Sequence, residues 1–302
     1  MMNKSDRYFI SKENIGDSEY RQFHEDGFVF IKDVISGDEV KNLHSRVAPL
    51  FDGKFETGIY PDEWYWRKGL SRDDITREMV NAWKCDRSFA TIALHEKMGA
   101  IAAKLMGWRG ARLAQDDIFW KPTTGKPIGF HQDQPYFNFF TPSEVVTIWV
   151  ALTNVSMHNG TLEYVKGSHR WPVTHSHSDA GFHAPDDYLA KLNEAAKKVN
   201  LSDSYERVSC DFSAGSCSVH HGMMWHGSAT NPSPTVERVS MALHYISSES
   251  QFNEQVQAGY IYGRYKIFGS SRLEESFFPI VYRDDGYRSE CIKSFTTTTT
   301  TT

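Results

Sequence analysis

The residues with the clearest chemical potential lie in a short run, 129–137, which holds a histidine and an aspartate two positions apart. In an extended strand, side chains two residues apart project from the same face. His131 and Asp133 are therefore predicted to point together, with Gln132 turned away. One imidazole and one carboxylate can occupy two adjacent positions on a metal ion. A complete site needs a third ligand, and His226, much further along the chain, is the candidate.

Two histidines and one carboxylate on one face of an octahedron form the ligand set of non-haem Fe(II) oxygenases. Arg238 begins a predicted strand shortly after the third ligand, and its polar face also carries Ser240, Ala242 and His244. An arginine buried on that face without an anion would be very costly. A guanidinium binds a carboxylate through two parallel hydrogen bonds, so its partner is either a bound dicarboxylate or a permanent Asp or Glu.

Other histidines compete for a metal-binding interpretation. His175 and His177 form a His-x-His pair, but they lie among Ser, Asp and Gly with no matching ligand downstream, so we interpret them as part of a solvated loop. His220 and His221 directly precede the segment of the third ligand. One of them could face inward and support a ligand, or both could be ordinary strand histidines.

The order of these residues resembles the phytanoyl-CoA dioxygenase family of Fe(II)- and 2-oxoglutarate-dependent oxygenases. The resemblance extends from about residue 20 to 247 and is weaker at its N-terminal end, Asp26–Val29. The segments that carry it are His131–Asp133, Thr147–Ala151 with Trp149, Asn159–Leu162, Val165–His169, His226–Ser228, Asn231 and Arg238.

The resemblance implies a set of ligands and cofactors. His131, Asp133 and His226 would bind Fe(II), 2-oxoglutarate would be the co-substrate, O₂ the oxidant and ascorbate a candidate reductant. The residues expected to contact 2-oxoglutarate are Arg238, Ser228, Gln132 and Trp149. The role of Gln132 depends on the resemblance alone, since strand alternation turns this side chain away from the metal.

The expected function is a dioxygenase that hydroxylates or otherwise oxidises a C–H bond of a small organic molecule, with a natural product or specialised metabolite favoured. Asp133 argues against halogenation, because related halogenases replace this carboxylate by a small residue that leaves room for chloride. Aromatic residues at 136, 137, 139 and 140 favour an apolar or ring-bearing substrate. The alternatives are an acyl-CoA 2-hydroxylase and a non-catalytic jelly-roll protein that binds a metal or ligand. A zinc hydrolase would leave Arg238 without a role.

From residue 111 onward the chain consists of short β-rich segments punctuated by Gly and Pro, which is typical of a sandwich or jelly roll. We predict one mainly β domain with flanking helices, residues 1–295. Its core is a double-stranded β-helix of the cupin-like kind, with core strands in about 111–247. Residues 296–302 form a low-complexity tail. The predicted helices are Ser18–Glu25, one capped by Ser36 with Glu39, Ser88–Met106 and Pro185–Val199.

Composition narrows the partners. The formal net charge of −5 gives no support for a nucleic-acid partner, which would require a basic face. No apolar run approaches the roughly 20 residues that span a bilayer, and the first residues lack an apolar signal core. The four cysteines form no Cys-x-x-Cys pair, which favours reduced thiols. A cytoplasmic protein with a small-molecule substrate is expected, and the sequence does not indicate its oligomeric state.

Overall fold

The computed structural model describes residues 6–13, 15–173, 183–202, 204–259 and 261–296. Its strands are β1 Phe9–Ile10, β2 Phe28–Ile31, β3 Glu63–Trp64, β4 Arg77–Val80, β5 Gly110–Lys121, β6 Ile128–His131, β7 Phe140–Thr141, β8 Val146–Ala151, β9 Glu163–Val165, β10 Arg207–Ser209, β11 Cys217–His221, β12 His226–Ser228, β13 Arg238–Ser247, β14 Gln251–Phe252 and β15 Ile280–Arg283. Its α-helices are α1 Asp17–Asp26, α2 Gly37–Phe51, α3 Arg87–Ala93, α4 Glu96–Met106, α5 Ala190–Lys198 and α6 Ile292–Thr296. None of the described helices has the length and apolar character required to cross a membrane.

Two sheets enclose the centre of the molecule. The large sheet has the strand order β1-β2-β11-β8-β13-β5-β4-β3, and β15 also pairs with β5. The small sheet has the order β10-β9-β12-β6. Apart from the parallel pair β1 and β2, the strand pairs in both sheets are antiparallel. The predicted mainly β fold with a jelly-roll core is confirmed.

Successive side chains of β13 point alternately into the apolar core and into a cavity between the sheets. Met241 and Leu243 belong to a buried apolar cluster that includes residues of α2, α3 and α4. Ala242 and His244 point to the opposite face and line a cavity between the sheets. Fully burying an aliphatic side chain contributes roughly 1.5–3 kcal/mol. The helix-covered face therefore stabilises the sheet, while the cavity face is left to polar residues.

The helix predicted over 88–106 is two helices in the structure. α3 ends at Ala93, whose carbonyl accepts a hydrogen bond of 2.7 Å from the hydroxyl of Tyr245, and Arg288 donates to the carbonyl of Leu94 at 2.7 Å. His95 caps the second helix, with its Nδ1 accepting from the amide of Lys97 at 3.1 Å. Side chains distant in sequence satisfy the carbonyls at the break, so helical periodicity did not reveal it.

The helix predicted to begin at Pro185 begins instead at Ala190. The carbonyl of Tyr188 accepts a hydrogen bond of 2.9 Å from the amide of Phe130, next to the metal-ligand motif. Asp187 accepts from the amide of Leu189 at 2.9 Å. The segment before α5 is therefore used to cover the edge of β6 rather than to extend the helix.

The C-terminal segment, for which the sequence pattern predicts no element, completes the cavity wall. Tyr262 and Phe278 pack with Phe137, Phe139 and Phe140 in one buried cluster. The rings of Phe139 and Tyr262 lie 5.1 Å apart between centroids. β15 attaches the same segment to the large sheet through β5.

The predicted boundary between the domain and the low-complexity tail lies at residue 295, within α6. α6 ends at Thr296, the first residue of the predicted tail, and residues 297–302 lie outside the described residues. The organisation of residues 1–295 as a single domain stays a prediction.

Candidate metal centre and co-substrate cavity

His131, Asp133 and His226 converge at the edge of the small sheet, and their ligand atoms lie within 4.8 Å of one another. Oδ1 of Asp133 is 3.6 Å from Nε2 of His131 and 3.3 Å from Nε2 of His226. Neighbouring ligands at about 2.1 Å from one ion and at right angles to it would be about 3.0 Å apart. A small contraction of this group would therefore hold a metal ion.

The backbone brings the three ligands together in a way that strand alternation did not predict. His131 ends β6 and pairs directly with His226 at the start of β12. Asp133 lies beyond the strand, with φ −75° and ψ −42°, and begins the short 3₁₀ turn Gln134–Phe137. The prediction that an extended strand aligns His131 and Asp133 is therefore wrong in its local geometry, because a helical turn brings the carboxylate round.

Both ligand histidines are oriented by backbone carbonyls. Nδ1 of His131 lies 2.8 Å from the carbonyl of Gly129, and Nδ1 of His226 lies 2.9 Å from the carbonyl of Met224. A carbonyl only accepts, so Nδ1 must carry the proton in each ring. The Nε2 lone pairs then face the centre, as a metal ion requires.

Asp133 is held from behind by two side chains. Its Oδ2 accepts hydrogen bonds from Oγ1 of Thr147 at 2.6 Å and from Nε2 of His220 at 3.1 Å. Burial alone would raise the pKa of Asp133, but the adjacent His226 and the hydrogen bond from His220 hold the pKa well below its ordinary value. The carboxylate is therefore ionised, with Oδ1 directed to the ligand cluster.

The pair His220 and His221 divides its roles between the two faces of β11. His220 points inward to Asp133, and its Nδ1 lies 2.9 Å from the hydroxyl of Tyr164. Burial lowers the pKa of His220 to about 4, so the ring is neutral near pH 7. His221 lies on the other face, where its Nδ1 accepts from the amide of Met223 at 3.0 Å.

A second chain of polar contacts reaches the same carboxylate. Oγ1 of Thr147 lies 2.8 Å from Nδ1 of His244, whose Nε2 lies 2.9 Å from Oδ2 of Asp117. Gln115 donates to both oxygens of Asp117, at 2.9 and 2.8 Å. Sequence reasoning predicted that His244 faces inward but missed the roles of Thr147 and Tyr164, for which the only signal was their position on strands beside the motif.

The ligand cluster opens into a cavity of about 490 Å³ between the two sheets. Ser228, the last residue of β12, and Arg238, the first residue of β13, line this cavity. The remaining wall is rich in rings, and the aromatic residues that line the cavity are Tyr65, Phe119, Tyr136, Phe137, Phe139, Trp149 and Tyr262. The cavity thus joins a polar end, a candidate metal centre and an aromatic end.

Arg238 is a buried cation without a carboxylate partner among the described residues. Arg238 is only 2% exposed. Its Nη1 donates a hydrogen bond to Oγ of Ser240 at 3.1 Å, and its buried Nε has no hydrogen-bond partner in the described part of the chain. Burial lowers the pKa of Arg238 to about 10, which leaves it charged at neutral pH. The permanent salt bridge considered from the sequence is not formed in the described residues, and the site fits the carboxylate of 2-oxoglutarate.

The other predicted co-substrate residues separate into two groups. Ser228 and Trp149 line the cavity, and the ring centroid of Trp149 lies 5.5 Å from the guanidinium carbon of Arg238. Gln132 is fully buried but does not line the cavity, because its Nε2 donates to the carbonyl of Met223 at 2.7 Å. Gln132 is turned away from the metal centre as predicted, although it lies beyond the end of β6 and not in an extended strand. The competing pair, His175 and His177, lies outside the described residues.

Gly227, between the third ligand and Ser228, is required by the close approach of β12 to β6. A Cβ at this position would lie 2.7 Å from Cδ2 of Phe130 and 3.0 Å from its Cα. We expect Gly227→Ala to cost about 1–3 kcal/mol in the free energy of unfolding and to weaken Mn(II) binding, because the shift moves His226. Urea unfolding and Mn(II) titration measure both effects. Gly37→Ala is the control, since a Cβ there meets no atom within 4 Å; equal effects of the two variants would contradict the prediction.

Comparison with known proteins agrees with this geometry. The phytanoyl-CoA dioxygenase (PhyH) family profile matches residues 23–239. A relative from Stutzerimonas stutzeri, named a probable alpha-ketoglutarate-dependent hypophosphite dioxygenase, is 22% identical over 237 residues, covering 76% of this chain and 78% of its own length.

Solved structures share the fold. The alpha-ketoglutarate-dependent carbocyclase SnoK from nogalamycin biosynthesis superposes with a TM-score of 0.67 at 22% identity, covering 90% of this chain and 98% of SnoK. The epimerase SnoN, solved with Fe³⁺, alpha-ketoglutarate and nogalamycin RO, gives 0.66 at 21% identity, covering 87% of this chain and 96% of SnoN.

The family profile spans more than two thirds of the 302 residues and includes the three candidate ligands and Arg238. The fold, the ligand cluster and the unpaired buried arginine agree with it. The chain belongs to the phytanoyl-CoA dioxygenase family and is a non-haem iron dioxygenase that depends on 2-oxoglutarate.

Proposed function

We propose that this dioxygenase oxidises a C–H bond of a small, largely apolar or ring-bearing organic molecule, with hydroxylation as the default outcome. In this proposal His131, Asp133 and His226 hold Fe(II), and Arg238 with Ser228 binds the distal carboxylate of 2-oxoglutarate. The observation that carries it is that Arg238, which is buried and has no carboxylate partner among the described residues, lies in the same cavity as the three candidate ligand side chains.

The protein contributes position and exclusion of water. Bound Fe(II), with 2-oxoglutarate and O₂, supplies the oxidant that removes hydrogen from the substrate. His131, Asp133 and His226 would hold the ion at the wall of the cavity. Thr147 and His220 fix Asp133 in its ionised form. The aromatic wall keeps bulk water from the reacting carbon.

The cavity supports a small molecule in preference to an acyl-CoA thioester. Arg238 is the only Lys or Arg among the described residues that line it, and it is assigned to 2-oxoglutarate. A CoA thioester would favour a basic patch, and the C-terminal candidates for one, Arg264, Lys266 and Arg272, do not line the cavity. Arg264 donates to the carbonyl of Ile261, and Arg272 forms an ion pair with Glu274. SnoK, from nogalamycin biosynthesis, and SnoN, solved with nogalamycin RO, also favour a natural-product substrate.

A cytoplasmic location is part of the proposal. All four cysteines are free in the structure, and three of them are buried. Free thiols are expected where the redox environment is reducing.

The test is succinate formation by the Fe(II)-reconstituted protein with 2-oxoglutarate and ascorbate. One substrate pool contains acyl-CoA thioesters, and the other contains free amino acids, terpenoids and alkaloids. We expect a member of the second pool to stimulate succinate formation. Stimulation by the first pool alone would replace the small-molecule proposal with the acyl-CoA one, and failure to bind 2-oxoglutarate would overturn both.

A further inference from the structure

Lys121 is a second buried cation beside Arg238. It is the last residue of β5, its Cα is the register partner of Arg238, and its side chain is fully buried. Its Nζ donates to Oγ of Ser228 at 2.7 Å and to the carbonyl of Ala229. Among the described residues it forms no ion pair with a carboxylate, since the nearby Glu163 is paired with Arg207 at 3.0 Å.

Two adjacent basic side chains in one buried corner favour the binding of an anion there. Burial lowers the pKa of Lys121 well below its ordinary value, and the charge of Arg238 lowers it further. An uncompensated buried charge is strongly unfavourable, and a bound anion is what relieves it. A distal carboxylate at Ser228 and Arg238 would lie close to both positive groups.

The contact between Lys121 and Ser228 also determines where the serine proton points. A hydroxyl has one proton and two lone pairs, whereas an ammonium group only donates. Oγ of Ser228 therefore accepts from Lys121 and must direct its own proton elsewhere. The described residues provide no acceptor for that proton, and Ser228 lines the cavity.

We propose that Lys121 is a positioning residue that turns the hydroxyl of Ser228 into a donor towards the distal carboxylate of 2-oxoglutarate and adds a second positive charge behind it. This inference rests on the proposed function. It assigns to Lys121 a share in the choice of a five-carbon dicarboxylate over a monocarboxylate 2-oxo acid, although Lys121 itself does not line the cavity.

The test measures binding as well as turnover. Calorimetric titrations of the Mn(II)-loaded protein compare 2-oxoglutarate with 2-oxopentanoate, which has the same chain length but no distal carboxylate. We expect Lys121→Met to weaken 2-oxoglutarate binding by about 10- to 100-fold, the range of a charge-assisted hydrogen bond. Binding of 2-oxopentanoate should change by less than about threefold, so the selectivity ratio should fall.

Three further variants separate this role from a structural one. Lys121→Arg keeps the charge and is expected to retain most of the selectivity. Ser228→Ala is expected to lower the selectivity for 2-oxoglutarate. The double variant Lys121→Met with Ser228→Ala should lose less selectivity than the product of the two single effects, because both side chains act through one hydroxyl. If Lys121→Met does not fold, Lys121→Gln takes its place with the same expectation.

The outcomes distinguish this inference from the proposed function. If the wild-type protein binds 2-oxoglutarate and Lys121→Met keeps the same selectivity ratio, the Lys121 inference is wrong and the function stands. If both ligands weaken equally, Lys121 has only a structural role. If the wild-type protein with Mn(II) does not bind 2-oxoglutarate, the proposed function itself fails.

Discussion

An Asp133→Ala variant is expected to bind Mn(II) at least about 100-fold more weakly than the wild-type protein and to form no succinate. Loss of an outer partner of a metal ligand typically costs about 10- to 100-fold, and Asp133 is the ligand itself. The change also leaves Thr147 and His220 without the carboxylate that accepts their hydrogen bonds. Mn(II) titration of the purified protein measures the first effect, and a succinate assay measures the second.

Asp26→Ala is the matched control for this experiment. Asp26 is 7% exposed, close to the 6% of Asp133, and it forms an ion pair with Lys166 at 3.0 Å, away from the cavity. We expect this variant to lose some stability and to bind Mn(II) as the wild type does. Mn(II) affinity of Asp133→Ala within threefold of wild type would show that the three side chains are not the metal site.

An Arg238→Met variant is expected to bind 2-oxoglutarate at least about 30-fold more weakly, since truncating one partner of a buried charge pair costs about 2–5 kcal/mol. The stability of the apoprotein, in contrast, should stay the same or rise in this variant. Replacing even a buried ion pair by apolar side chains is often neutral or stabilising by about 1–4 kcal/mol, and a buried charge without a carboxylate partner carries the larger desolvation cost. Calorimetry with Mn(II) present measures the affinity, and urea unfolding of the apoprotein measures the stability.

Arg112→Met provides the contrast. Arg112 is also buried, at 6% exposure, and also lacks a carboxylate partner in the described residues. It donates to the carbonyls of Ser248, Leu273 and Phe278, so its removal leaves buried carbonyls unsatisfied. We expect this variant to destabilise the protein and to leave 2-oxoglutarate affinity unchanged within about twofold. An Arg238→Met apoprotein as destabilised as Arg112→Met would mean that Arg238 serves the fold rather than a ligand.

Local sequence signals predicted local structure well. The capping box of Ser36 and Glu39 forms at the start of α2 as predicted, with the amide of Ser36 donating to Glu39 at 2.6 Å. The strand Cys217–His221 has its predicted bounds. Alternation along β13 predicted the inward direction of Arg238 and His244. In each case the decisive interactions connect residues close together in the chain or successive residues of one strand.

Features that depend on distant partners were not predictable from one sequence. The role of Lys121 follows from the register that brings the end of β5 beside the start of β13. The support of Asp133 by Thr147, and the choice of His220 rather than His221 for the same role, require β8 and β11 to be neighbours. Helical periodicity continues through Leu94, whereas the hydrogen bonds from Tyr245 to Ala93 and from Arg288 to Leu94 mark the end of α3.

The aromatic run at 64–66 shows the same limit within three residues. Tyr65 lines the cavity, whereas Trp64 and Trp66 pack with the apolar cluster on the other face of the large sheet. Three adjacent aromatic residues in an irregular segment can form either a binding surface or a packed cluster, and each interpretation describes part of residues 64–66. The pairing of β3 with β4 determines which face of the sheet each ring occupies. This strand has only two residues, so the sequence shows no periodicity that would predict it.

The tautomer of both ligand histidines is set by the main chain two residues earlier, at Gly129 and at Met224. Every amino acid offers the same carbonyl oxygen at those positions. Substitution there can alter size and polarity without removing the group that orients the imidazole. Divergent evolution can therefore rebuild the surroundings of such a centre while its proton arrangement persists. Substitutions in the cavity wall that are made to accept a new substrate should therefore leave the tautomers of these two histidines unchanged.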